Sequence, residues 1–118
     1  MAALELNDFS SPDETRTPEK TKVELVNLAG GQVGRYTFQP GWRWSEHIKP
    51  VAKTDSCQVE HIGYCVSGSF RVSHTDGSQE QIMPGMVYCI APGHDGWNDG
   101  SEPAVCIEFQ GAATFAKG

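Results

Sequence analysis

Short runs in which apolar and polar residues alternate fill most of the chain after residue 20. They read KVELVNL, GQVGRYTF, GWRWSEHI, CQVEHIGYCV, SFRVSH, SQEQIM, MVYCIA and AVCIEFQ. A period of two is typical of β-strands that bury one face. Turn-forming pairs lie between the runs, and Asp76-Gly77 predicts the clearest hairpin. No segment of more than ten residues has helical periodicity, so the pattern predicts an all-β sandwich or barrel.

The two ends of the chain differ from this pattern. Residues 7–20, NDFSSPDETRTPEK, are polar and contain two prolines, so they bury too little apolar surface to offset the entropy of ordering. We therefore predict a flexible N-terminal arm over residues 1–20, one barrel domain over residues 21–112 and a short tail over residues 113–118. A length of 118 residues suits a single core.

Charge and composition exclude several classes of partner. The formal net charge is −6 and no run of Lys or Arg occurs, which disfavours nucleic acid and anionic membranes. The start, MAALELNDFS, has no basic and apolar leader pattern, and no apolar run is long enough to span a bilayer. These features predict a cytoplasmic protein. Its four cysteines form no Cys-x-x-Cys pair, so we expect free thiols.

Candidate chemistry begins with Cys57 and His61, which alternation places on one strand face. Side chains four apart on a straight strand are about 13 Å from each other, whereas two ligands of one ion lie within about 4 Å. A straight strand therefore cannot bring both to one metal. A single buried histidine is usually a hydrogen-bonded core residue, and three converging histidines would reverse that interpretation.

Alternation also places Trp42 and Trp44 opposite His47. Large aromatic side chains on the outside of a barrel need cover, which a second subunit would supply. This predicts a homodimer.

The spacing of glycines and histidines resembles the cupins, small β-barrels that hold a divalent metal. Gly41 precedes His47 by six positions and His61 precedes Gly68 by seven, which is similar to the first cupin motif. The second motif is similar to a stretch that begins at Gly85, passes through APG and His94, and ends at Asn98. The resemblance implies a cupin-type double-stranded β-helix, or jelly roll, and often a dimer.

The resemblance implies metal ligands His47, His61 and His94, with Cys57 as a fourth. Two departures bear on this set, because His61 stands where cupins have glutamate and Cys57 stands where they have the second histidine. The chain must then turn between Cys57 and His61, with IKPVAKTDS as an insertion. Zn or Fe(II) is favoured, with Ni, Mn and Cu as alternatives. Neutral imidazoles are required, so metal should be lost below about pH 5 to 6.

The segment PGHDGW is similar to one found in small single-domain cupins, in which Asp95 would orient His94 and Trp97 would line the barrel mouth. Candidate helpers are Glu60, Arg43 and Tyr64. The resulting hypothesis is a metal-binding cupin that acts on or binds a small, anionic organic molecule. The alternatives are a non-catalytic metal-binding, ligand-binding or sensor module, and a structural barrel without metal.

Overall fold

Nine β-strands and two one-turn helices form the part of the chain that the computed structural model describes, residues 3–112 and 114–116. In chain order they are β1 Glu14–Arg16, β2 Thr21–Leu28, β3 Gly31–Phe38, α1 Trp44–His47, α2 Lys49–Ala52, β4 His61–Ser67, β5 Phe70–His74, β6 Gln79–Ile82, β7 Val87–Ile90, β8 His94–Trp97 and β9 Ala104–Gln110. The prediction of an all-β chain is confirmed.

The strands form two antiparallel sheets that enclose the core. One has the order β1-β2-β3-β9-β4-β7 and the other β6-β5-β8, so neighbouring strands are often distant in sequence. In β3, β4, β8 and β9 alternate residues face inwards, as the pattern predicts, whereas β2 buries four consecutive residues. Phe38 of the larger sheet meets Phe70 of the smaller one with ring centroids 5.7 Å apart. This arrangement is that of a jelly-roll barrel.

The hairpin predicted at Asp76-Gly77 is confirmed. Strands β5 and β6 pair from Phe70 opposite Ile82 to Ser73 opposite Gln79. Gly77 has a φ of +90°, a conformation that residues with a Cβ rarely adopt. All four cysteines are free, as expected.

Parts of the predicted N-terminal arm and of the predicted C-terminal tail pack against the barrel. Strand β1, inside the predicted arm, pairs with β2. Phe115 and Ala116, inside the predicted tail, are buried. The Arg16 guanidinium joins the two ends, because Nη1 donates hydrogen bonds to the carbonyl oxygens of Ala112 at 3.0 Å and Phe115 at 2.6 Å. The remaining tail residues, 113, 117 and 118, lie outside the described residues, as do residues 1 and 2 of the arm.

The run GWRWSEHI forms α1 and its approach instead of the predicted strand. A helical turn rotates each residue by about 100°, so strand alternation does not hold there. Trp42, before the helix, and Trp44, its first residue, are both buried, 3% and 2% exposed, and the expectation that they lie on the outside is wrong. The homodimer thereby loses the argument from exposed tryptophans, retains only the support of the cupin resemblance, and stays a prediction.

Within the described residues, neither helix has the length or the apolarity that crossing a bilayer requires.

Candidate metal centre

Three metal-competent side chains, Cys57, His61 and His94, converge in the barrel. One ligand atom from each lies within 4.8 Å of the other two, and all three residues are buried. Cys57 Sγ is 3.7 Å from His61 Nε2. Ligands that share one tetrahedral ion, with bonds of about 2.0 to 2.3 Å, are separated by a similar distance. The three atoms can therefore close around one ion with small side-chain movements.

The backbone places Cys57 beside His94. The two residues form an isolated antiparallel bridge, in which the Cys57 amide donates to the His94 carbonyl at 2.7 Å. Residues 58–60 are not in a strand, and β4 begins only at His61. The chain thus turns between Cys57 and His61, as the cupin resemblance implied, and this removes the 13 Å separation of a straight strand.

Hydrogen bonds fix the orientation of both imidazole rings. His61 Nδ1 is 2.6 Å from Glu108 Oε1, and His94 Nδ1 is 2.7 Å from the Ala91 carbonyl oxygen. A carbonyl oxygen and a carboxylate only accept, so Nδ1 is the protonated nitrogen in each neutral ring. Nε2 is left as the nitrogen that can bind a metal. Ligand histidines in metalloproteins are usually held in this way.

Glu108 is the main site residue that the sequence interpretation missed. It is 3% exposed and accepts hydrogen bonds from both His61 and Tyr88. A signal was present in the run AVCIEFQ, where alternation puts Glu108 on the same face as Ala104 and Cys106, both fully buried. An acidic residue on the buried face of an apolar strand needs a specific partner.

Cys57 and His61 perturb each other electrostatically. Burial disfavours the Cys57 thiolate, but hydrogen bonds from His61 and His94 outweigh burial and lower the pKa of Cys57 to about 7. Burial also disfavours the His61 cation, but the Cys57 and Glu108 partners raise the pKa of His61 to about 9. Without metal, the pair is therefore a thiolate and an imidazolium between about pH 7 and 9.

These two pKa shifts predict how metal binding depends on pH. In that pH range Cys57 and His61 hold one proton between them, which a metal must displace, and below about pH 7 they hold two. We expect the apparent affinity to fall about tenfold per pH unit from pH 9 to 7 and about a hundredfold per unit below pH 7. Competition with a chelator of known pH dependence measures this, and a pH-independent affinity would contradict the assignment.

The stability of the metal-free protein should behave differently. His61 has a raised pKa, so it stabilises the folded state fully below pH 6.5, and this stabilisation is lost as the pH rises through about 9. Cys57 has a lowered pKa, so it stabilises the folded state fully above pH 9, and this stabilisation is lost as the pH falls through about 7. From about pH 7 to 9 the two slopes oppose each other, so the pair leaves the free energy of unfolding nearly independent of pH.

His47 does not belong to this group. It ends α1, where its Nδ1 accepts a hydrogen bond from the Arg43 amide at 3.0 Å and its Nε2 lies 4.0 Å from a Glu19 carboxylate oxygen. The group of metal-competent atoms found among the described residues consists of Cys57, His61 and His94. His47 lies in the helical turn α1, where strand alternation does not apply.

The predicted helper residues have other contacts. Asp95 accepts from the Ser45 amide at 3.1 Å and lies 3.6 Å from Arg43, so Ala91, not Asp95, holds the His94 ring. The Arg43 guanidinium stacks over Trp97 at 4.5 Å. The two remaining candidates point away from the interior, since Glu60 pairs with Gln110 at 2.6 Å and Tyr64 is 40% exposed.

A cavity of about 30 Å³ adjoins His61 and His94. Its walls include His61, His94 and Glu108, and the aromatic residues Tyr36, Phe38, Trp42, Trp44, Phe70 and Phe115. The Tyr36 hydroxyl and Trp42 Nε1 are buried and have no hydrogen-bond partner among the described residues. Buried polar atoms in proteins are nearly always paired, so these two groups are available to a guest.

The fold was compared with solved structures. A protein of unknown function from Rhizobium leguminosarum is similar at a TM-score of 0.65 and 17% identity, over 91% of this chain and 95% of that one. Ectoine synthase from P. lautus is similar at a TM-score of 0.64 and 12% identity, over 91% of this chain and 78% of that one. A sugar phosphate isomerase from a cupin superfamily, from Silicibacter pomeroyi, is similar at a TM-score of 0.60 and 17% identity, over 86% of this chain and 71% of that one. No family model and no curated protein matches the sequence.

The similarity covers most of each chain and includes cupins, while the sequence identities are low. Together with the two antiparallel sheets and the buried histidines, these matches confirm the fold that the glycine and histidine spacing implied. The chain has the cupin fold.

Proposed function

We propose that this cupin binds one divalent transition metal through Cys57 Sγ, His61 Nε2 and His94 Nε2, and binds a small organic molecule at that metal. The observation that carries the proposal is the convergence of three buried donors to within 4.8 Å. Nδ1 of both imidazoles already has a hydrogen-bond partner, so each ring is oriented for metal binding in the metal-free protein.

The donor set favours particular metals. One thiolate and two imidazoles suit Zn and Fe(II), with Cu and Ni as further candidates. Mn, which prefers oxygen donors, fits less well than the sequence alone implied. Glu108 is a neighbour of the ligand His61 and is not itself one of the three grouped donors.

Three protein ligands leave a coordination position free, which is the arrangement of catalytic zinc sites. A metal bound there would supply Lewis acidity to an oxygen of the ligand. Tyr36 and Trp42 add two buried donors in the same cavity. Burial, followed by the charge of Glu108, raises the pKa of Tyr36 well above its usual value, so its hydroxyl stays protonated. We infer that they orient the ligand oxygen.

The preference for an anionic ligand, expected for a three-histidine site, loses its physical basis when Cys57 replaces His47. The thiolate and the buried Glu108 together offset the charge of a divalent cation. No lysine or arginine lines the cavity among the described residues. We therefore propose a neutral ligand that carries a carbonyl or hydroxyl oxygen.

The names of similar proteins support a small-molecule ligand. Ectoine synthase and a sugar phosphate isomerase have the same fold, although that fold serves many unrelated functions. A non-catalytic ligand-binding or sensor module is the alternative. Cytoplasmic location and a homodimer stay predictions.

A second candidate function arises from the row formed by Cys57, His61 and Glu108. Cys57 Sγ is 3.7 Å from His61 Nε2, and His61 Nδ1 is 2.6 Å from Glu108 Oε1. The three residues therefore have the order of nucleophile, base and orienting acid seen in cysteine hydrolases. The presence of His94 beside Cys57 favours metal binding, because a nucleophile and base do not need a second imidazole.

The test is metal loading followed by ligand binding. We expect about one Zn, Fe(II) or Co(II) per chain, and the Co(II) form should show a thiolate-to-metal absorption band that Cys57→Ser lacks. Addition of imidazole, a neutral probe, should shift the cobalt visible spectrum because a position is free. Failure of all three metals to bind stoichiometrically would overturn the metal proposal and leave the cysteine nucleophile as the better candidate.

A further inference from the structure

The outer surface of the larger sheet is apolar over three neighbouring strands, β9, β4 and β7. We use the term apolar face for six of its outward residues: Ile62, Tyr64 and Val66 on β4, Val87 on β7, and Ile107 and Phe109 on β9. Tyr64 lies at the centre, because it pairs with Val87 on one side and with Ile107 on the other. The structure describes every residue of these three strands, and none of their outward positions carries a charged side chain.

The smaller sheet shows the residue types of a sheet surface that faces water in this protein. Strands β5 and β6 bury Phe70 and Ile82, which are paired, so the alternate positions face outwards. Those outward residues are Arg71, Ser73, Gln79 and Gln81, all of them polar. Antiparallel sheets with one solvated face usually alternate in this way. The apolar face lacks the polar half of the pattern, which is typical of a surface that a partner covers.

The apolar face is open in a single chain and is large enough for a stable interface. Val87 is 77% exposed and Phe109 is 60% exposed. Because side chains of this size have roughly 150 to 250 Å² of surface, the six residues together expose roughly 400 to 600 Å². A stable dimer buries about 800 Å² on each partner, of which about 65% is apolar. The apolar face therefore matches the apolar part of one such interface.

The border of the apolar face towards β3 is polar. Ile107 pairs with Arg35, whose guanidinium bonds to the Glu24 carboxylate at 3.0 Å. The same guanidinium lies over the Phe9 ring at 4.9 Å from its centroid, so residues before β1 cover this part of the sheet. An apolar centre with a polar rim is the usual composition of a protein interface.

The charge of the chain favours a second copy as the partner. The formal net charge is −6, so two copies repel each other wherever their acidic surfaces meet. At the apolar face two copies can meet without opposing like charges and without burying an unpaired charge. A basic partner would be attracted to the acidic remainder of the surface. A flat, uncharged sheet surface is also complementary to itself under a twofold rotation, as a symmetric dimer requires.

We propose that two copies of this chain dimerise by packing their apolar faces against each other, with Tyr64 and Val87 at the centre of the interface. The apolar face replaces the tryptophans as the physical basis for a homodimer. The proposal goes beyond the proposed function and does not depend on it, because the metal-binding group lies inside the barrel and the apolar face lies outside.

The first experiment measures the mass of the full-length protein in solution by analytical ultracentrifugation over a range of concentrations. We expect a particle of twice the chain mass of 12.8 kDa at about 0.1 mM protein. Val87→Glu and Tyr64→Glu should each weaken dimerisation about a hundredfold or more, since each places like charges in the centre of a symmetric interface. If Tyr64→Glu fails to fold, Val87→Glu carries the test, because position 87 is mostly exposed in the single chain.

Gln79→Glu is the matched control. Gln79 is exposed on β6, the edge strand of the smaller sheet, as Val87 is on β7, the edge strand of the larger one. Both substitutions change the net charge by the same amount. Gln79→Glu should leave the dimerisation constant within about twofold of the unmodified value. Equal weakening by both variants would indicate general charge repulsion and would overturn the assignment of the interface to the apolar face.

A second measurement locates the interface through Cys89, an exposed thiol on the outward side of β7, opposite Ile62. The protein is treated with N-ethylmaleimide, and modification of the Cys89 peptide is followed by mass spectrometry. The rate constant should fall about tenfold or more as the protein concentration rises through the dimerisation constant, because the partner covers the thiol. Val87→Glu should keep the fast rate at concentrations where the unmodified chain is dimeric.

Two outcomes would overturn the proposal. A monomer at concentrations up to about 1 mM would exclude a second copy as the partner and leave the apolar face to a different protein. A dimer that keeps Cys89 fully reactive and tolerates both glutamates would show that two copies meet at another surface. Neither outcome bears on the metal proposal, which metal loading decides separately.

Discussion

His61→Ala is expected to lower bound metal from about one ion per chain to nearly none, because the variant removes the central donor of three. It also leaves the buried Glu108 without its imidazole partner, and loss of one member of a buried pair costs about 3 to 5 kcal/mol of unfolding free energy. Elemental analysis measures the first effect and chemical denaturation of the metal-free protein the second.

His47→Ala is the matched control for this prediction. His47 lies at the end of α1 and is held by the Arg43 amide, apart from the three donors. Its loss should leave the metal content unchanged. Metal loss in His47→Ala as well as in His61→Ala would contradict the ligand set proposed here and favour the set that the cupin resemblance implied.

Glu108→Gln is expected to weaken metal binding about 10- to 100-fold, the usual effect of changing the group behind a ligand histidine. The carboxylate accepts from His61 Nδ1 and adds negative charge behind the ring, which makes Nε2 a better donor. Gln keeps the shape of the side chain but removes that charge. Chelator competition at one fixed pH measures the change in affinity.

Glu24→Gln provides the comparison for Glu108. Glu24 is also a carboxylate only 3% exposed, but it lies on β2 and pairs with Arg35 at 3.0 Å. Its replacement should affect the stability of the barrel and not the affinity for metal. Equal losses of affinity in both variants would indicate a general effect of removing a buried charge, and would contradict a specific role for Glu108.

The strand pattern was the part of the fold most accessible from sequence. Runs such as GQVGRYTF and AVCIEFQ alternate because one face of each strand is buried, and they became β3 and β9. The run GWRWSEHI did not form the predicted strand, since a helix of one turn is too short to show helical periodicity. The strand prediction placed the two tryptophans on the outside, where the structure does not have them.

The site was only partly accessible for a related reason. His61 and His94 were found through their spacing from glycines, and Cys57 through its spacing of four residues from His61. Glu108 lies in the middle of β9, remote in sequence from every motif, and reaches His61 because β9 pairs with β4. The contact between Phe115 and His61 joins residues still further apart in the sequence and depends on how the residues after β9 pack against the barrel.

By itself, the sequence determined that this chain forms an all-β domain and carries four candidate metal ligands, because alternation, turn residues and residue chemistry are local properties. Only the tertiary structure decided which of the four candidate ligands meet, which carboxylate bonds to His61 and which aromatic ring packs against it. Those outcomes depend on strand pairing and side-chain packing between distant parts of the chain, and residue spacing along the sequence does not specify them.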